Sequence, residues 1–129
     1  MTDAELIAIA TRLAGEFRPG RTCVAGDVAA AILTPAGNVY TGICIDVSCS
    51  IGFCAEHAAV AEMLKARESE IVVVVAVDDG GKVLPPCGRC RELMWQVNPI
   101  NSQARVILSP AHSVRLSELL PYQHQSAAI

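Results

Sequence analysis

Leu6, Ile9, Leu13 and Phe17 recur at near-helical spacing behind Thr2 and Glu5, which make a candidate capping box. This pattern predicts an amphipathic helix over residues 3–17, stopped by Arg18-Pro19-Gly20. Two β-like runs follow at about 27–33 and 38–46, with Pro35-Ala36-Gly37-Asn38 between them as a hairpin turn. Residues 47–53 read as a loop of Ser, Cys and Gly. The next helix, over 54–67, carries Ala58, Ala59, Val60, Ala61, Met63 and Leu64 and lacks one clean polar face, which predicts a buried helix.

Ile71-Val72-Val73-Val74-Val75-Ala76-Val77 is an unbroken β-branched run, the pattern of a central strand covered on both faces. Asp78-Asp79-Gly80-Gly81 is a turn. A third helix is predicted over 88–97, ended by Asn98-Pro99. Residues 105–109 form a last strand and 117–120 a short helical turn. The order α-β-β-α-β-α-β is satisfied by an α/β fold with a mixed sheet and helices on both faces. No repeat, linker or low-complexity tract interrupts it, so 1–129 reads as one domain.

Composition narrows the function. The chain is 52% hydrophobic with a formal net charge of −3, and it has no Lys/Arg stripe for phosphate backbones. A small-molecule substrate is expected, not a nucleic-acid polymer. Asp3, Glu5 and Glu16 break the first twenty residues, so no signal peptide is expected, and no run is long enough to span a membrane. Six cysteines in an apparently cytoplasmic chain read as metal ligands or free thiols, not as a disulfide framework. Cys23, Cys44 and Cys49 read as small buried or loop thiols.

The chemistry concentrates in two segments: Cys54-Ala55-Glu56 and, thirty-three positions after Cys54, Pro86-Cys87-Gly88-Arg89-Cys90. Cys87 and Cys90, three apart at a helix start, lie on one face. Cys54 and Glu56 are two apart, which places Cys54 at a helix cap and Glu56 in the first turn. Three thiols are the ligand set of a catalytic zinc, which keeps its fourth position open. Helix N-termini aimed at the thiols favour thiolate.

The pattern C-x-E…P-C-x-x-C resembles the cytidine deaminase family, including its blasticidin-S deaminase branch. The resemblance covers most of the chain. Val28-Ala29-Ala30-Ala31-Ile32 and Gly37-Asn38-Val39-Tyr40-Thr41-Gly42 look like the family's first hairpin, and Leu116-Ser117-Glu118-Leu119-Leu120-Pro121 looks like its closing segment. The resemblance implies a three-layer α/β/α sandwich with both metal helices on one face, and a small homotetrameric class. It implies Zn²⁺ held by Cys54, Cys87 and Cys90, with Glu56 as the acid/base of a hydrolytic deamination of a cytosine-like amine. Backbone N–H groups around Ala55 would orient the ring carbonyl.

Four positions depart from the family pattern. His57 stands where an Arg commonly follows the catalytic Glu, which leaves Arg89 and Arg91 as candidates to offset thiolate charge. Cys44 and Asp46 stand where nucleoside-specific members carry Asn-x-Glu to grip the ribose. No aromatic lies around Gly26 to stack on the base. The substrate is therefore cytidine or a modified, bulky cytosine nucleoside; a free base or other amino-heterocycle is the alternative. An inactive structural zinc protein is a further reading, which Glu56 and the lack of an obvious fourth ligand oppose. A thiol redox protein using Cys87-Gly88-Arg89-Cys90 would have no use for Cys54 or Glu56.

Overall fold

The structure is a computed structural model that describes residues 1–125 and 128–129. Helix α1 (Asp3–Leu13) opens on the capping box: Glu5 N–H donates to Thr2 Oγ1, and Thr2 N–H donates to Glu5 Oε2 at 2.7 Å. A cap of this kind contributes ~1 kcal/mol. The helix ends at Leu13, four residues before the predicted boundary. Gly15 N–H donates instead to Gly26 C=O, and Phe17–Gly20 forms strand β1, with Phe17 paired to Ala25. Phe17 keeps helical spacing in sequence, yet strand pairing captures it. Arg18-Pro19-Gly20 belongs to this strand and is not the helix stop.

Strands β2 (Cys23–Leu33) and β3 (Val39–Val47) form an antiparallel hairpin, and β2 is the axis of the sheet. Strand β3 runs along one edge of β2, while β1 and β4 (Val73–Asp78) share its other edge. Strand β6 (Arg105–Ser109) adds in parallel to β4, and β7 (His112–Arg115) pairs antiparallel with β6. The two-residue β5 (Val83–Leu84) folds back on the end of β4. Neither β5 nor β7 is long enough to show alternation in sequence.

Side-chain alternation divides the core. Ala31, Val73, Val75, Val77 and Ile107 face Leu6 and Ala10 of α1. Ala30, Ile32, Val74, Ala76 and Val106 face α2 (Ala55–Lys65) and α3 (Gly88–Val97) on the other side. The result is the expected three-layer α/β/α sandwich with a mixed sheet. Val73 to Val77 are all buried, as a strand covered on both faces requires.

Helix α2 lies directly on the hairpin. A Cβ on Gly42 of β3 would overlap the backbone of Ala55 and Ala59, so only glycine allows this approach. Ala55, Ala59, Val60 and Met63 are buried, but Ala61 and Leu64 are exposed. The helix is thus covered on one face, not all round. Asn101, fully buried in the 3₁₀ turn Pro99–Gln103, ties the far side together: it accepts from Ile71 N–H and donates to the carbonyls of Ser69 and Met94. The last helix, α4, is the single turn Leu116–Leu119. No helix among the described residues is long and apolar enough to cross a membrane.

Candidate active site

Two helix starts converge beneath the sheet end. Cys54 is the N-cap residue of α2 and Cys87 that of α3, both with extended backbone and neither side chain capping its own helix. The thiols are thereby left free to meet each other. Cys54 Sγ lies 3.3 Å from Cys87 Sγ, and Cys87 Sγ lies 3.4 Å from Cys90 Sγ. The ligand atoms of Cys54, Cys90 and His57 lie within 4.8 Å of one another, and His57 Nδ1 is 3.5 Å from Cys90 Sγ.

This donor set fits zinc. Thiolates around a tetrahedral ion at about 2.3 Å sit roughly 3.8 Å apart, close to the spacing the backbone imposes here. Burial raises the thiol pKa of Cys54, helped by its neighbour Cys87, and burial with the Glu56 charge raises that of Cys90. Burial opposes ionisation at Cys87 too, but N–H groups of Cys90 and Arg89 aimed at it bring its pKa below the ordinary thiol value. A bound dication would reverse the shift at Cys54 and Cys90 and reinforce it at Cys87.

Glu56 sits in the first turn of α2 with 4% of its surface exposed. Burial holds its carboxyl above the usual carboxylate range, with opposition from its own backbone N–H and from Cys90.

A cavity of about 390 Å³ joins these groups to the sheet end. Cys54, Ala55, Glu56, Cys87 and Arg89 line its floor; Val28, Phe53, Leu84 and Pro85 give it apolar walls. Phe53 reaches it because Ile45 and Phe53 exchange a pair of backbone hydrogen bonds at 3.0 Å, folding the β3–α2 loop back over β3. Its ring stacks on His57, with centroids 6.2 Å apart and planes at 11°. Burial, then the Arg89 charge, lowers the His57 pKa. Arg89 lines the cavity, whereas Arg91 is engaged elsewhere: it donates to the carbonyls of Pro86 and Leu119.

Cys44 and Asp46 both line the cavity. Cys44 is nearly buried; its S–H donates to Asp27 Oδ1 at 2.7 Å and its sulfur accepts from Val28 N–H. Burial, then Asp27, pushes this thiol up to about 11. Asp27, Phe53 and the apolar walls are cavity residues that pattern reading misses. Phe53, an aromatic directly before Cys54, carried a signal; Asp27 carried none.

No family model matches the chain. A cytidine deaminase of Mycobacterium tuberculosis (strain CDC 1551 / Oshkosh) is 35% identical over 95 residues, spanning 73% of this chain and 69% of that protein. A cytidine deaminase of Halalkalibacterium halodurans is 30% identical over 97 residues, spanning 73% of this chain and 74% of that protein. The crystal structure of cytidine deaminase from Mycobacterium tuberculosis superposes with a TM-score of 0.81 at 30% identity, covering 98% of this chain and all of that one. On sequence and on fold together, this chain belongs to the cytidine deaminase family.

Proposed function

We propose that the chain is a zinc-dependent hydrolytic deaminase that converts a cytosine-like nucleoside to its uracil-like counterpart and ammonia. The observation that carries this reading is the buried Glu56 carboxyl, held beside three converging thiols at the floor of one cavity. The chain's cytidine deaminase relatives support the same reaction class.

In this reading Cys54, Cys87 and Cys90 hold the metal. Zinc, when bound there, supplies an activated water at neutral pH. Glu56 accepts a proton from the attacking water and gives it to the ring nitrogen. It then delivers a proton to the amine as ammonia leaves. Val28, Phe53 and Leu84 exclude water around the ring, and the backbone at Ala55 orients the ring carbonyl. Arg89 offsets part of the thiolate charge.

The 1–129 chain acts as one catalytic domain and as a homotetramer. Exposed Ile51 and Phe53, on the loop that leads into α2 beside the cavity, support a subunit contact there. The alanines of α2 do so only in part, because Ala55 and Ala59 pack inward. Light scattering should give about four times 13.6 kDa. The six free cysteines fit a reducing cytoplasm. Cys44 and Asp46 in place of the usual ribose-gripping pair favour a modified or bulky nucleoside, as in the blasticidin-S branch.

Ammonia release tests the reaction directly, with cytidine, deoxycytidine, cytosine and bulkier cytosine nucleosides as substrates. Release from nucleosides but not cytosine supports the proposal. Release from cytosine alone makes the chain a free-base deaminase. Release from none leaves a structural zinc protein.

A further inference from the structure

Strand β2 carries a β-bulge at the cavity. Between Ala25 and Ala29 it advances four residues while β3, from Ile45 to Ile43, advances two. Gly26 absorbs the distortion at φ +82°, a conformation that side chains other than glycine resist, and a Cβ there would overlap Gly15 C=O. Bulges next to active sites re-aim a side chain. The one re-aimed here is Asp27, which lines the same cavity as Glu56.

Asp27 is also held in place. Val28 N–H donates to Cys44 Sγ at 3.3 Å, and the Cys44 thiol donates to Asp27 Oδ1 at 2.7 Å. Both polar functions of Cys44 are thus engaged inside the cavity wall. Asp27 Oδ2 accepts no hydrogen bond among the described residues and is not buried, on a residue that lines the cavity. Asp46 stands beside it, with a carboxylate oxygen within 4.8 Å. Both carboxylates are acceptors only. Among the described residues the ion pair is Arg105–Asp3, so neither cavity aspartate is paired with a base. Arg89 is the basic side chain in the cavity lining, against Asp27, Asp46 and Glu56.

We propose that Asp27 is a specificity-determining residue of this deaminase: its carboxylate accepts a hydrogen bond from a donor group on the sugar side of the substrate, and Cys44 is the positioning residue that holds it. The inference rests on the deaminase reading of the same cavity. A hydroxyl or an ammonium group can be the donor. An ammonium gains further from the acidic excess around it, because a charge-assisted bond is roughly twice as strong as a neutral one.

The test is steady-state ammonia release from cytidine, 3′-amino-3′-deoxycytidine and 5′-amino-5′-deoxycytidine at pH 7, for the wild-type zinc enzyme and for Asp27→Asn, Cys44→Ala and Cys44→Ser. Circular dichroism and zinc content establish that each variant is folded and loaded. Asp27→Asn is expected to lower kcat/KM at least tenfold, mainly through KM. An equal loss on all three nucleosides identifies a hydroxyl as the donor; a larger loss on an amino nucleoside identifies the ammonium. Cys44→Ala should move KM the same way by a smaller factor, and Cys44→Ser, whose O–H again donates to Asp27, should restore it. Wild-type turnover with Asp27→Asn within twofold on every nucleoside overturns the inference and leaves the deaminase reading intact. Failure of Cys44→Ser to recover KM relative to Cys44→Ala overturns the positioning role. A zinc-loaded wild type that releases no ammonia from any of them overturns both readings.

Discussion

Cys54 and Cys87 lie thirty-three residues apart in the chain, yet their Sγ atoms are 3.3 Å apart. Each occupies the N-cap position of a different helix, and both helices sit on the same face of the sheet. The pairing is therefore built by α2 and α3 packing on Ala30, Val74 and Ala76, not by local turn geometry. Two uncharged thiols gain little from such an approach, whereas two thiolates sharing an ion gain much.

One equivalent of zinc per chain is the expected result of elemental analysis on purified protein. Cys87→Ala should lose it and should unfold at lower temperature, since a ligand that binds only the folded state stabilises it. A metal-free preparation with full activity would end the zinc assignment.

Glu56→Gln should keep the fold and the metal while turnover falls by a factor on the order of 10² or more, the contribution of a positioned acid/base. The amide is nearly isosteric with the acid, and the residue is only 4% exposed, so packing is preserved. Zinc content measured beside the rate separates this outcome from loss of the site. Undiminished turnover would remove Glu56 from the reaction.

The convergence of the three thiols was legible because each half is local: Cys54-Ala55-Glu56 and Cys87-Gly88-Arg89-Cys90 each sit at one helix start, and a short spacing fixes which face they share. The sandwich was legible from Val73 to Val77 and from the β2–β3 hairpin, whose patterns are long. Phe17 misled because its helical spacing from Leu13 is real, while its partner Ala25 lies across a turn that no periodicity reports. Asp27 was invisible for a related reason. Its position depends on a bulge, and a bulge breaks the alternation by which strand faces are read. The thiol of Cys44 read as a lost ribose contact; its 2.7 Å bond to Asp27 joins two strands and leaves no trace in residue spacing.

Gly42→Ala should be strongly destabilising although it adds one methyl group. The new Cβ would meet the backbone of Ala55 and Ala59 and the side chain of Ala58, and none of these can rotate away. Helix α2 would have to lift off β3, carrying Cys54 and Glu56 with it. A loss on the order of 3 kcal/mol is expected, the upper part of the range for overpacking. Urea denaturation measures it, and zinc affinity should fall in the same variant. Unchanged stability would mean that α2 is not seated on Gly42.

Asp3 and Arg105 make a bidentate pair across a hundred residues, with Arg105 donating to Oδ1 at 2.7 Å and to Oδ2 at 3.0 Å. It joins the start of α1 to β6. The hydrogen bonds from Arg105, against a smaller cost of burial, hold the Asp3 carboxyl below the usual carboxylate range. The unfolded chain then binds the proton more readily than the folded one. The stabilisation is therefore complete above the ordinary carboxylate pKa and is lost as pH falls through the lowered folded value. Its size is small, because the two side chains are 44% and 34% exposed and water screens them; about 0.2–1 kcal/mol is expected. Asp3→Asn should be less stable than wild type by that amount at pH 7 in low salt. The gap should close as the pH is lowered through the carboxylate range, and also when salt is raised to about 1 M, where the screening length falls to ~3 Å. A gap that persists in acid would show that Asp3 acts there through packing and not through its charge.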